Sequence, residues 1–474
     1  MYDAVIIGAG ITGTMLAKDL SRYQLKTAVL DRENDIADEA TMANSAIVHT
    51  GYDPADGTLK AELNVRGARM YEQLCRDLGC KYQVNGAFIA ATSPEEEAHL
   101  EILADRAKRR NIPYEWLSGD EARKEEPNLN DSVTKVLSFP TTANIYPWEV
   151  AIACAQVAVK NGTELHLNSE VTSIDKTDHG YVVHTPDHDY QTKVVINAAG
   201  VSADQICAMV SRPSFKMTPK KGEYFVIDND VHYVKHTVFP VPSSKGKGVL
   251  AVPTVYGNTL IGPNSTYVEN TVDTGSTFQG LDYVREHILR VMRTAPFNKS
   301  IRNFAGLRPS SSSSDFIIEE PEDAKNFINV ASIESPGLAS APAISAYVIE
   351  HFVSHMLDLK ENPDAIMTRK RPLVMAELTP EERAEKIHEN PMYGRIICRC
   401  EQISEGEIVD CIHAVCGATT VKGVKKRVRP GMGRCQGGFC EPRVVEILAR
   451  ELNISPLEVV LDQKDSKILE EVNR

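Results

Sequence analysis

Asp3-Ala4-Val5-Ile6-Ile7-Gly8-Ala9-Gly10-Ile11-Thr12-Gly13 is the stretch whose reading decides the fold. Residues 3–8 read as a short buried strand. Ile11, Met15, Leu16 and Leu20 then recur near helical spacing, predicting a helix over 11–23. Residues 25–31 (LKTAVLD) return to a strand, so the chain opens as a βαβ unit. Gly8, Gly10 and Gly13 fit G-x-G-x-x-G at the strand-to-helix turn. In that pattern the first glycine permits the tight turn, the second lets the backbone approach a pyrophosphate, and the third lets helix and strand pack closely. The helix N-terminus offers unpaired N–H groups and the positive end of its dipole to the phosphates. Asp31 ends the second strand, at the distance expected of an acid that binds a ribose 2′-hydroxyl, and Thr12 and Arg32 stand beside these groups. The pattern therefore predicts dinucleotide binding over a simple glycine-rich turn.

Farther along, residues 61–130 read as mostly helical and charged, and 142–200 return to α/β character. Alternating apolar residues and turn signals over 215–310, as in YFVID at 224–228 and TLIG at 259–262, predict a largely antiparallel sheet. Val194-Val195-Ile196-Asn197-Ala198-Ala199-Gly200 and Ser335-Pro336-Gly337-Leu338 each read as a strand ending in a glycine turn. The nucleotide domain is thus expected to be assembled from separated pieces. At 474 residues the chain exceeds one ordinary domain. The expected division is a body over 1–359, a proline-rich charged linker over 360–394, a cysteine-rich module over 395–455 and a tail over 456–474. Within the body, nucleotide-binding parts fall at about 1–80, 145–212 and 300–359, and substrate-binding parts at about 81–144 and 213–299.

Several motifs occur in order across about 300 residues: Asn44-Ser45-Ala46-Ile47-Val48-His49-Thr50-Gly51, Lys221-Gly222-Glu223-Tyr224, Gly246-Lys247-Gly248-Val249, Ala305-Gly306-Leu307-Arg308-Pro309 and Glu334-Ser335-Pro336-Gly337-Leu338. With them the chain resembles the D-amino-acid oxidase superfamily of flavoproteins, and within it the FAD-dependent glycerol-3-phosphate oxidases and dehydrogenases, then the L-2-hydroxyglutarate oxidases. The glycine spacing alone does not separate FAD from NAD; the resemblance implies FAD. It also implies that Thr41, Asn44 and Ser45 lie along the flavin edge, that Val171 meets the adenine through its backbone, and that Gly200 approaches the diphosphate. Gly337 and Leu338 would present N–H groups to the isoalloxazine carbonyl.

The chemistry so implied moves a hydride from a C–H bond bearing a hydroxyl to flavin N5. His49 matches the family's active-site histidine, and an imidazole with its ordinary pKa near 6.5 suits a base at neutral pH. Arg308 matches the arginine that forks onto a substrate phosphate or carboxylate. Lys247 is a second phosphate contact and Ser335 a hydrogen-bond donor in the same reading. Lys221 stands where hydroxyglutarate oxidases carry an arginine, which favours a phosphate substrate. The competing readings are a structural histidine and an arginine paired to a surface acid.

Six of the ten cysteines fall between 398 and 440. Cys398-x-Cys400 is followed after 34 residues by Cys435 and after four more by Cys440. Four thiolates in two pairs satisfy either tetrahedral zinc or an iron–sulfur cluster. The paired spacing resembles bacterioferritin-associated-ferredoxin-like domains, which implies a 2Fe-2S cluster. Ile403 to Cys416 reads as a helix capped by Ser404 and Glu407, and Thr419 to Val428 as another. Cys411 and Cys416 read as core thiols. The basic run Lys422, Lys425, Lys426, Arg427, Arg429 and Arg434, with the Gly431-Met432-Gly433 turn, is expected to offset the cluster's negative charge.

The net charge of −13 argues against non-specific nucleic-acid binding. No apolar run approaches the roughly 20 residues needed to cross a bilayer, and the chain enters its first strand without a leader-like segment. The expectation is a cytoplasmic dehydrogenase for a small hydroxylated substrate that passes electrons to a redox protein or subunit, any membrane association running through that partner. The alternatives are a 2-hydroxy-acid dehydrogenase and, outside catalysis, a flavoprotein scaffold with a zinc docking module.

Overall fold

The computed structural model describes residues 1–242 and 248–471. Its first sheet is organised by the opening strand Tyr2–Ile7, which runs parallel to Thr27–Leu30 on one side and to Asp189–Asn197 on the other. Glu164–His166 extends the sheet beyond Thr27–Leu30, and Phe327–Ala331 beyond the end of Asp189–Asn197, both in parallel. Ala4, Val5 and Ile6 are inaccessible, as a parallel strand covered on both faces requires. The helices Ile11–Leu20, Leu59–Leu78, Pro147–Lys160 and Gly337–Val348 pack together against this sheet. Distant pieces of chain therefore build one Rossmann-like unit, as the opening βαβ pattern predicts.

The second sheet has nine strands and is antiparallel except where Thr237–Pro240 runs beside Ala87–Ala91. Lys220–Ile227 lies within it, with Ser300–Arg308 along one edge and Thr259–Gly262 along the other. The segment 61–130 is mostly helical, as expected, and also contributes short strands to this sheet. Leu59–Leu78 and Pro94–Arg109 are long helices, but Ala87–Ala91 and Glu115–Ser118 are strands. The segment Ala87-Phe88-Ile89-Ala90-Ala91 is buried throughout. Packing on both faces overrides the helix preference of its three alanines.

After a linker carrying the helix Pro380–Glu389, capped by Thr379 and Glu382, the chain forms a hairpin of Ile396–Cys398 and Ile403–Ser404. Three helices follow, Glu405–His413, Val421–Val428 and Glu441–Leu452. Ser404 and Glu407 form the capping box expected from the sequence. Cys411 is buried and Cys416 half-buried. Val459 is buried in the same core, and the Val421 N–H donates to the Val460 carbonyl, so the chain beyond 455 packs onto this unit.

The basic run does something other than what was expected. Lys426, only 3% exposed, pairs with Asp35 and Asp38, and Arg427 forks onto Asp35. Lys422 reaches Asp38 and Asp462, and Arg434 pairs with Asp228 and Asp230. Arg429 takes Glu401 and the Tyr146 hydroxyl. Most of the run thus pins the C-terminal unit to the body; Lys425 is the member that feels the Cys440 thiol, and burial with Arg302 nearby lowers it to about 8. Charges buried this deeply stay only when paired, and removing one partner typically costs about 3–5 kcal/mol.

Candidate active site and thiol centre

A cavity of about 1690 Å³ extends from the glycine turn to the end of the Ser300–Arg308 strand. At its near end Gly8 has a φ of +109°, a conformation that favours glycine. A side chain on Gly13 would bring its Cβ within 1.9 Å of the Gly8 carbonyl oxygen. Gly13 does not line the cavity; it fits the helix beneath Gly8, Gly10 and Thr12, which do. The Thr41 hydroxyl accepts the Ile11 N–H at 2.9 Å. The Thr12 and Gly13 N–H groups, in the first turn, have no intrahelical partner. Asp31 accepts the Ala9 N–H at 2.5 Å and the Glu33 N–H at 2.8 Å. Burial nonetheless pushes its carboxyl up to about 7. Arg32 is held by Glu39 and Ser202. Val171 and Gly200 line the same end of the cavity.

Farther in, Asn44 and Ser45 line the cavity but spend their side chains on the scaffold. The Asn44 amide closes its own loop through the Ala40 and Thr41 carbonyls and the Ala46 N–H, and Ser45 meets the Tyr224 hydroxyl at 2.9 Å. Gly337 and Leu338 begin the helix Gly337–Val348 at the cavity wall. The Gly337 N–H donates to the Glu334 carbonyl, so of the two only the Leu338 N–H is left without a backbone acceptor of its own turn. Ser335 lines the cavity beside Glu334, whose carboxylate is fixed by Lys60 at 2.9 Å and Ser310 at 2.6 Å.

His49 lines this inner end, its ring 5.7 Å from that of Phe239 and its carbonyl accepting from the Asn64 amide at 2.7 Å. The Arg308 guanidinium donates to the Ser265 hydroxyl at 3.3 Å and the Asn264 carbonyl at 3.2 Å. Among the described residues, Arg308 forms no ion pair with a carboxylate. Asn264 is itself fixed by the buried Glu223 of the Lys221-Gly222-Glu223-Tyr224 motif. Lys247 lies outside the described residues.

Lys221 lines the cavity too, but its ammonium is already engaged. In antiparallel register Lys220 is opposite Arg308 and Lys221 opposite Leu307. Side chains alternate between faces, so Lys220 shares the Arg308 face. The Lys221 ammonium instead meets Asp273 at 3.3 Å and the Gly275 carbonyl at 3.0 Å. Lys220 lines the cavity with its ammonium 4.0 Å from Glu334, a carboxylate already satisfied by Lys60 and Ser310. The sequence reading passed over Lys220; strand parity from Arg308 is the signal that finds it.

In the C-terminal unit the thiols come together as pairs. Cys400 and Cys435 are 3.8 Å apart at the surface, and Cys398 and Cys440 are hydrogen-bonded below them. A hydrogen bond from the Cys440 thiol, opposed by burial and helped by the Gly431 and Glu401 N–H groups, lowers the Cys398 thiol to about 6. Cys440 is pushed up in the same exchange and also by burial. Cys440 stands at the N-terminus of Glu441–Leu452, where the helix dipole favours a thiolate. Gly433 allows close approach, since a Cβ there would come within 2.4 Å of the Cys400 Cβ. Among the described residues no group of three or more His, Cys, Asp or Glu side chains is arranged to hold a single metal ion. Two thiol pairs backed by N–H groups do fit the four-thiolate ligand set that would hold a two-iron cluster.

Residues 3–351 match the family model for FAD dependent oxidoreductases, and residues 396–450 that for BFD-like [2Fe-2S] binding domains. A glycerol 3-phosphate dehydrogenase of Caloramator mitchellensis is 44% identical over 99% of this chain and 98% of its own length. A glycerol 3-phosphate oxidase of Mycoplasma genitalium is 30% identical over 73% of this chain and 94% of its own. The dithionite-reduced L-alpha-glycerophosphate oxidase of Mycoplasma pneumoniae, solved with FAD bound, superposes with a TM-score of 0.75 at 28% identity, covering 79% of this chain and 99% of that one. The first match spans the glycine turn and the cavity residues, and the second spans the paired thiols. The chain belongs to the FAD-dependent oxidoreductases and carries, at its C-terminal end, a domain of the BFD-like 2Fe-2S family.

Proposed function

We propose that the chain oxidises sn-glycerol 3-phosphate to dihydroxyacetone phosphate in this cavity and sends the electrons through its cluster to a protein acceptor. One observation carries the choice of substrate class. Arg308, with no carboxylate partner among the described residues, and Lys220, only loosely paired, stand side by side in a cavity that also takes in His49. Two cations together suit a phosphate dianion, and the guanidinium suits its oxygens in bidentate fashion. The 44% identical relative favours the same substrate.

In this reading Arg308 and Lys220 grip the phosphate, Ser335 donates to the substrate, and His49 accepts the proton of the hydroxyl being oxidised. Lys247 is a further phosphate contact. Glu223 acts through Asn264 to aim Arg308, and Lys60 keeps Glu334 from claiming Lys220. Gly8, Gly10 and Thr12 would receive the diphosphate with Gly200, Gly13 letting the helix pack beneath them; Asp31 and Arg32 would hold the ribose side and Val171 the adenine; Thr41, Asn44 and Ser45 would shape the flavin edge, and the Leu338 N–H would be offered to the ring. FAD, when bound, supplies the hydride acceptor and can release electrons singly. Cys398, Cys400, Cys435 and Cys440 would hold the cluster that takes them. Two one-electron acceptors are reduced per substrate, and two protons are released.

Cys400 and Phe439, the latter 85% exposed, mark the edge where such an acceptor would meet the cluster. An outlet of this kind supports a dehydrogenase rather than an oxidase delivering to oxygen. The same reading puts the protein in the cytoplasm, with its ten cysteines kept as thiols or cluster ligands. Among the described residues no helix is long and apolar enough to cross a membrane, and any membrane contact would run through the acceptor. Anaerobic titration distinguishes substrates: glycerol 3-phosphate should bleach the flavin band near about 450 nm and L-2-hydroxyglutarate should not. The reverse result would overturn the substrate assignment.

A further inference from the structure

Between the cavity and the thiols lies a buried junction that the proposed chemistry does not use. Arg429, 7% exposed, closes the helix Val421–Val428 with a φ of +72°. Its guanidinium bonds Glu401 at 2.9 Å and the Tyr146 hydroxyl at 2.7 Å, and stacks 3.7 Å from the centre of the Tyr256 ring. Both ends of this junction lead directly to a site. Glu401 follows Cys400 in the chain. Tyr146 follows Ile145, whose N–H donates to the Ala46 carbonyl at 3.1 Å, and Ala46 lines the cavity.

We infer that Ala46, Ile145, Tyr146, Arg429 and Glu401 form the electron bridge from the flavin cavity to the cluster. Every link from Ala46 to Cys400 is a covalent bond or a hydrogen bond. Another connection between the two regions is poorer: Arg302 reaches Gln436, beside Cys435, through an exposed bond of 3.4 Å, and the stacked pair Phe304 and Tyr224 then leads to Ser45. The bridge rests on the relay reading. Each crossing moves one electron from the reduced flavin to the oxidised cluster, and two crossings, each followed by one reduction of the acceptor, complete one substrate oxidation.

The test is Tyr146→Phe, which keeps the ring and removes the hydroxyl, with Phe304→Leu as the control for the other connection. Flash photoreduction of the bound flavin, without substrate, is followed at the cluster's own absorbance on the iron-loaded protein. Tyr146→Phe is expected to slow electron arrival severalfold and Phe304→Leu to leave it at the native rate. The midpoint potential of the cluster, from an EPR redox titration, is expected to stay native in both, so the slowing reports connection and not driving force. Native arrival rates in Tyr146→Phe, or slowing in Phe304→Leu alone, would overturn the bridge. No electron arrival in the native protein would instead overturn the relay beneath it.

Discussion

Lys220 and Arg308 face each other across neighbouring antiparallel strands, while the ammonium of Lys221, one residue on, is held by Asp273. In the proposed reading that parity makes Lys220 the substrate contact and leaves Lys221 to hold the loop of Asp273.

Lys220→Met and Arg308→Met should each raise KM for glycerol 3-phosphate by about 10- to 100-fold, the loss expected for a charge-assisted hydrogen bond of roughly 1.5–3 kcal/mol. Lys221→Met should change KM little and instead loosen the 270–275 loop that it holds. Steady-state kinetics on the three variants check this, and a larger effect at Lys221 than at Lys220 would reverse the assignment.

Gly13→Ala puts a methyl group 1.9 Å from the Gly8 carbonyl oxygen, where neither backbone can yield cheaply. The variant should purify largely without flavin, which absorbance and released-FAD assays measure directly. Gly57→Ala, with nothing within 4 Å of its added Cβ but a φ of +78°, serves as a strain control remote from the nucleotide.

Asp31, raised to about 7 by burial, holds its proton after the unfolded chain has lost its own near pH ~4. A folded pKa above the unfolded value for an acid means that the flavin-free protein loses stability from this group as pH rises through that window. Asp31→Asn removes the ionisation, so the thermal unfolding temperature of the flavin-free variant should fall less than the native one between about pH 4 and pH 7. Its affinity for FAD should weaken. A native pH slope in Asp31→Asn would show that the carboxyl is not the group being titrated.

Asp35→Ala leaves Lys426 and Arg427 buried with one acid fewer, a loss of about 3–5 kcal/mol of docking between the C-terminal unit and the body. Limited proteolysis within 360–394 should accelerate while iron content holds, because the thiols lie on the unit itself. Loss of iron in step with cleavage would mean that the cluster site depends on the body.

The parts of this molecule legible in its sequence are those decided locally or by a recurring motif. The strand, glycine turn and helix of 2–20 and the capping box at Ser404 depend on neighbours a few residues apart, whereas the thiols meet across the module, Cys400 with Cys435 and Cys398 with Cys440. The basic run was misread because its partners Asp35, Asp38, Asp228 and Asp230 are some 200 to 390 residues away in sequence. Ala87–Ala91 was missed because an unbroken apolar run has no period to separate strand from helix. Lys220 lost to Lys221 because the face of a strand is fixed by register with Ser300–Arg308, and register is a tertiary fact.

The central claim is that electrons from the substrate reach the thiol-bound cluster within the same chain. Iron-loaded protein mixed anaerobically with glycerol 3-phosphate, frozen and read by low-temperature EPR tests it most directly. The account predicts that flavin bleaching is accompanied by a reduced-cluster signal approaching about one unpaired spin per chain. Full bleaching with the cluster still oxidised and silent would contradict it.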